Sequence, residues 1–357
     1  MIAADAILPE IDALAAHFSR IVCAPDIETL AACAGRTREL AIALYQAGAG
    51  ARLVTRTLSR LNDAIVTRVL DLLRPRHRLP PTRWCWLGLG SEGRLEQTLA
   101  TDQDNGLVFS ASDDTEAGRL RELFLPFAEA ANQALAACGF PLCDGGVMAG
   151  NPRWCLSLSE WNQNFAAWVR SPDPEALLNA TIFFDFRPLF GDSDLAIEMR
   201  QTVSTLTRGS EIFLRMMTVN ALAAEPPLGR LRDFAVVAES GGTIDLKKFG
   251  ARIIVDAARI LALGAGMSET GTVKRLRGGA AEGVMAPLDA EAAARAFDAL
   301  QDIRLAVQAG QQRHGNEPGN AVDPDSLNDF DRRVLLEALR QARALQRVLK
   351  ARFHIEA

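Results

Sequence analysis

The chain has 357 residues, enough for two or three folding units, because single hydrophobic cores stop growing near about 250 to 300 residues. Hydrophobic residues make up 48% and charged residues 23%, an ordinary composition for a soluble globular protein. The net charge of −5, from 39 basic and 44 acidic residues, lacks the basic excess that a duplex partner demands, so nucleic acid is not the expected partner.

The chain opens with Asp5, Glu10 and Asp12 and no basic segment ahead of an apolar one, which is unlike a secretory leader. From Ala6 to about Leu73 apolar residues recur at three and four, as in Val54, Leu58, Leu61, Ile65, Val69 and Leu72. This predicts helix, broken near Ala24-Pro25 and at Gly48-Ala49-Gly50. A Pro-rich linker, Arg74 to Pro81, follows. Trp84 to Leu89 reads as a buried strand ending at a glycine-rich turn, and Asn105 to Phe109 as a second strand. Asp113-Asp114-Thr115-Glu116 starts a helix that Gly139 stops after Cys138. Phe140 to Cys143 and Gly146 to Met148 predict a third strand around a glycine kink. Beyond Ser157 strand signals fade, and helices are expected over Leu177 to Phe190, Ser193 to Val219, Leu246 to Leu263, Asp289 to Gln312 and Leu327 to Phe353.

The fold class expected is α+β. Residues 1–80 form a helical region, residues 81–200 a small mixed-sheet domain with its sheet core at about 82–155, and residues 201–357 a helical bundle. No uncharged apolar run reaches the roughly 18 to 20 residues of a bilayer span, so no membrane partner is expected and the cytoplasm is the expected location. Six cysteines without C-x-x-C spacing and four scattered histidines give no zinc or disulfide framework; reduced, mostly buried thiols are expected. The tryptophans Trp84, Trp86, Trp154, Trp161 and Trp168 are expected in the core.

The chemistry concentrates in the stretch Gly88-Leu89-Gly90-Ser91-Glu92-Gly93-Arg94-Leu95-Glu96-Gln97, followed by Thr101-Asp102-Gln103-Asp104-Asn105. Glycines after a strand let a phosphate approach the backbone, whose turn N–H groups attract the anion; Ser91 adds a hydroxyl donor. Asp102 and Asp104 stand two apart at the head of a strand, so their carboxylates share one face. Two carboxylates opposite a phosphate cradle suit Mg²⁺ and in-line displacement at phosphorus. Gly88-x-Gly90-x-x-Gly93 also matches the dinucleotide-binding fingerprint of Rossmann oxidoreductases. That fold, however, needs a full crossover helix and an acidic residue after the next strand, whereas Asp102 and Asp104 precede it.

The same residues resemble the G-S…D-x-D signature of the polymerase-β-type nucleotidyltransferase superfamily. More closely, they resemble the DUF294 nucleotidyltransferase family, related to the N-terminal region of protein-PII uridylyltransferase. Gly145-Gly146-Val147-Met148-Ala149-Gly150-Asn151-Pro152-Arg153-Trp154 and Phe183-Phe184-Asp185-Phe186-Arg187-Pro188-Leu189-Phe190 add to the match. Ile244-Asp245-Leu246-Lys247-Lys248 and Asn320-Ala321-Val322-Asp323-Pro324 are similar to the family's substrate-binding helical domain. The resemblance covers about residues 30 to 355.

It implies transfer of a nucleoside monophosphate from a nucleoside triphosphate to an acceptor hydroxyl, with Mg²⁺ or Mn²⁺ as cofactor and a regulatory protein as one candidate acceptor. Gly90 and Ser91 would hold phosphates, and Asp102 and Asp104 the metal. Arg94 would either reach a phosphate, oriented by Glu96, or form a surface ion pair. The superfamily's third carboxylate has two candidates here: Asp144, where the third strand is expected, and Asp185, whose other reading is a buried ion pair. Lys247 and Lys248 could contact a triphosphate or simply solvate a helix face. Arg259, Arg275 and Arg304 would line a cleft or, as arginines in helical proteins more often do, face solvent. The alternative function is a catalytically silent nucleotide-binding module that regulates a partner.

Overall fold

The computed structural model describes residues 4–229, 234–235 and 242–355. The chain divides into two compact units, Met1–Ala166 with Ile182–Val203, and Ala167–Thr181 with Ser204–Ala357. The fold is α+β, as expected.

The first unit begins with helices α1 (Ala4–Val22), α2 (Ile27–Gln46) and α3 (Ala51–Leu73), interrupted where the Pro25 and Gly48–Gly50 signals fall. Asp26 caps α2 by accepting the Thr29 N–H at 2.8 Å. Strand β1 (Trp84–Gly88) leads into a five-residue helix α4 (Gly90–Arg94), and β2 (Asn105–Phe109) returns antiparallel to β1. Helix α5 (Asp114–Ala137) starts from Asp113, which accepts the Glu116 N–H, while the Glu116 carboxylate reaches back to the Ser112 N–H. Along the chain then come β3 (Cys155–Ser157), α6 (Leu158–Arg170), α7 (Pro174–Phe183), most of which belongs to the second unit, β4 (Arg187–Gly191) and α8 (Ser193–Thr207). The sheet order is β3-β2-β1-β4; the β2–β3 pair is parallel and the others antiparallel, so the sheet is mixed.

The N-terminal helices and the sheet share one core. Ile65 and Val69 of α3 meet Trp86, Leu107 and Phe109 of the sheet and Phe124, Phe127 and Ala131 of α5, all fully buried. Burying each such large apolar side chain contributes about 1.5–3 kcal/mol, which fixes the sheet and therefore the turn at the end of β1. Phe109 and Phe124 stack with ring centroids 5.2 Å apart.

Two strand expectations are corrected. Residues 140–148 form an irregular loop instead of a third strand, because Gly146 N–H turns back onto the Cys143 carbonyl and Met148 N–H onto that of Gly146. The third strand is the short Cys155–Ser157. The helix expected over Leu177 to Phe190 stops at Phe183, and Arg187–Gly191 is a fourth strand on β1. Pro188 is tolerated there because β4 is an edge strand and its register on β1 shifts beside that residue.

The second unit is helical: α9 (Glu211–Leu222), α10 (Arg252–Gly264), α11 (Thr272–Ala281), α12 (Pro287–Arg313) and α13 (Asp329–Arg352), with a two-stranded pairing of β5 (Ile244–Asp245) and β6 (Ala321–Val322). A π-helical turn, Lys247–Ala251, precedes α10. The expected helix over Ser193 to Val219 is two, α8 and α9, separated at residues 208–210. Arg259, Arg275 and Arg304 are buried rather than on the surface. Each guanidinium finds acceptors in the interior: Asp256 for Arg259, the Glu269 carbonyl for Arg275, and Gln301 and Asn320 for Arg304. No described helix is long and apolar enough to cross a membrane.

Candidate functional site

The turn after β1 is fixed by backbone geometry. Gly90 takes φ +54°, a left-handed conformation that side chains disfavour. A Cβ on Gly93 would stand 1.9 Å from the Asp185 carbonyl oxygen, so that position also excludes a side chain. Leu95, itself at φ 60°, closes α4; its N–H donates to the Glu92 carbonyl and the Glu96 N–H to the Ser91 carbonyl. Ser91 sits half-buried at the start of this helix.

The Asp-x-Asp segment runs between this turn and the 140–148 loop. On one side the Leu89 N–H donates to the Asp104 carbonyl at 2.9 Å. On the other, the Gln103 and Asn105 N–H groups donate to the Pro141 and Val147 carbonyls at 3.0 and 3.1 Å. Burial alternates along it: Gln103 and Asn105 are buried, Asp102 is exposed and Asp104 half-buried. A network of buried amides enforces that alternation. Asn132 of α5 donates to the side-chain oxygens of Gln103 and Asn105 at 2.8 and 2.9 Å, and Gln103 Nε2 donates to the Asn132 and Phe140 carbonyls. Asn105 and Asn132 in turn accept the N–H groups of Ala149 and Gly150, both at 2.8 Å. With the odd-numbered side chains tied inward, the aspartates are left on the other face.

There the carboxylates of Asp102 and Asp104 come together with the Cys143 thiol, the donor atoms all within 4.8 Å of one another. Asp104 Oδ2 lies 3.0 Å from the point a Cβ on Gly90 would occupy. Two oxygen donors converging beside a side-chain-free turn fit a divalent cation with a phosphate alongside it. Asp144 is exposed in the loop and Asp185 is fully buried; neither belongs to this group. Arg94 donates to Asp185 Oδ2 at 2.7 Å and to Glu96 Oε2 at 2.8 Å, with its side chain 12% exposed. Lys247 and Lys248 are exposed on the π-helical turn of the second unit.

Residues 35–175, which include both halves of this geometry, match the family model described as putative nucleotidyltransferase DUF294. Residues 211–353 match the model described as putative nucleotidyltransferase substrate binding domain. The chain belongs to the DUF294 nucleotidyltransferase family. No curated protein matches it. Gly90, Ser91, Asp102, Asp104 and Cys143 all lie within the DUF294 match, whereas Asp185 lies beyond it.

Two ionisable groups of this DUF294 site carry shifted acidities. Burial pushes the Glu92 carboxyl up to about 8; Asp63 and Asp104 push the same way, and Arg187 opposes them. Burial also raises the Cys143 thiol, helped by the charges of Asp104 and Asp102 and opposed by the N–H groups of Val147 and Gly145. Sequence reasoning gave neither residue a role, nor Gln103, Asn105 and Asn132. The alternation of Asp102 and Asp104 with two amides was the available signal, since buried amides demand partners. Cys143 had no signal of its own, because its place beside the aspartates depends on the loop path.

Proposed function

We propose that the chain transfers a nucleoside monophosphate from a nucleoside triphosphate to an acceptor hydroxyl, using Mg²⁺ or Mn²⁺. Convergence of Asp102 and Asp104 on the side-chain-free face of Gly90 is the observation that carries this reading. Asp102 and Asp104 would hold the ion, and the Gly90–Ser91 turn would cradle the β- and γ-phosphates with its N–H groups and the Ser91 hydroxyl. A bound divalent ion would neutralise charge on the triphosphate and on the leaving pyrophosphate. The acceptor oxygen would attack the α-phosphorus, forming the new P–O bond as the bond to pyrophosphate breaks, with the hydroxyl proton released to solvent.

Arg94 serves in this reading as a positioning residue, anchoring the end of α4 to Asp185 and Glu96. By resemblance to protein-PII uridylyltransferase, a hydroxyl on a regulatory protein is the first acceptor class to test.

The experiment is incubation of the full chain with each α-labelled nucleoside triphosphate, divalent metal and a cell extract. Label transfer and pyrophosphate release that vanish in Asp102→Asn and Asp104→Asn support the transferase. Tight triphosphate binding with no turnover under any of these conditions would replace it with the silent regulatory module.

A further inference from the structure

Cys143, half-buried, differs from Cys33, Cys138 and Cys155 in what surrounds it. Cys33, Cys138 and Cys155 lie in the apolar core of the first unit, the ordinary place for an inert thiol. Cys143 instead faces two carboxylates, which contribute no apolar packing to a sulfur. Its loop is tied down: Gly146 N–H donates to the Cys143 carbonyl at 2.9 Å, and Asn151 Nδ2 to that of Gly146 at 2.9 Å. Two residues before it, the Pro141 carbonyl accepts the Gln103 N–H, between the two aspartates. The sulfur is thus held against the Asp102–Asp104 face by backbone on both sides.

Two donors sharing one ion at about 2.0 to 2.3 Å stand at most about 4.5 Å apart. The separations here, none above 4.8 Å, need only a small closure to meet that limit. Oxygen donors alone suit Mg²⁺, whereas a thiolate draws borderline-soft ions such as Zn²⁺ and Co²⁺.

We propose that Cys143 is the third protein ligand of the Asp102–Asp104 site, taking the place of a third carboxylate and shifting the site's preference from Mg²⁺ toward Co²⁺ and Zn²⁺. This rests on the metal-binding reading of the two aspartates. On binding, the S–H bond breaks, its electron pair goes to the metal and its proton to the buffer.

Co²⁺ titration of the full chain tests this by the near-ultraviolet thiolate-to-cobalt charge-transfer band. The expected result is a band saturating at one Co²⁺ per chain and absent from Asp102→Asn. In Cys143→Ser the band disappears and Co²⁺ affinity falls about tenfold or more, with Mg²⁺ affinity nearly unchanged. Cys143→Asp is expected to move the preference back toward Mg²⁺. Co²⁺ binding that needs Asp102 but shows no band, or an unchanged metal preference in Cys143→Ser, overturns the role of Cys143 and leaves the aspartate site standing. Failure of the native chain to bind any divalent ion overturns both. Should Cys143→Ser not fold, the native band and its loss in Asp102→Asn decide the matter.

Discussion

Asp104 Oδ2 lies 3.0 Å from where a Cβ on Gly90 would stand, and Gly90 holds φ +54°. The carboxylate therefore fills the space that a side chain on Gly90 would need. Gly90→Ala should cost about 1–2 kcal/mol for the left-handed backbone and also displace the Asp104 carboxylate. Nucleotide transfer is expected to fall at least about tenfold, since each 1.36 kcal/mol of lost transition-state stabilisation is about that factor. Single-turnover transfer assays alongside thermal melting check it.

Asn132 holds the residues between and after the two aspartates. Asn132→Ala takes one donor each from Gln103 and Asn105, which keep the Asn105 amide and the Ala149 N–H, and leaves the Gly150 N–H without its acceptor, at a cost of about 1–3 kcal/mol. Metal affinity should drop about 10–100-fold, as for supporting residues of other metal sites. Calorimetric titration measures this; native affinity in a folded Asn132→Ala chain would make the network merely structural.

Glu92 gives a pH signature. Its carboxyl is raised from 4.5 to about 8 in the folded chain, so folded protein keeps a proton that the unfolded chain has released. Its contribution to stability is fully present below about 4.5, declines as pH rises, and is lost above about 8. Urea denaturation in chelator at a series of pH values should show that decline, and Glu92→Gln should flatten it. An identical slope in both proteins would contradict the assignment.

Arg94 and Asp185 form a buried pair, with side chains 12% and 0% exposed. Asp185→Asn removes one charge from it and should destabilise by about 3–5 kcal/mol. Arg94→Met combined with Asp185→Leu should recover much of that loss. Because Arg94 anchors the end of α4 to both Asp185 and Glu96, transfer activity in the restored double variant is expected to stay below native. Native activity in a stable double variant would contradict the positioning role.

The parts of the fold legible in the sequence were those with long periodic patterns or strong punctuation. The three N-terminal helices and α5 followed from apolar spacing, from Asp113 as a cap and from Gly139 as a stop. β4 escaped because Asp185 and Arg187 interrupt the apolar residues from Phe183 to Phe190 and Pro188 argues against a strand; its edge position and the register shift on β1 make the proline harmless. β3, three residues long, is too short for any periodicity to register. In the site, the Gly90–Ser91 turn and the Asp102–Asp104 pair were visible as local spacing. Cys143 was not, because a contact between positions about forty residues apart is made by loop closure. The burial of Arg304 was hidden because Asn320 reaches it from a loop, and that of Arg259 because its partner Asp256, on the same helix three residues earlier, has a spacing that surface pairs share.

Mn²⁺ binding, followed by electron paramagnetic resonance in the presence of a nucleoside triphosphate, tests the central claim most directly. The account predicts one triphosphate-enhanced Mn²⁺ site per chain, lost in Asp102→Asn and in Asp104→Asn and retained in Asp144→Asn. Undiminished Mn²⁺ binding in the Asp102→Asn, Asp104→Asn double variant would contradict it.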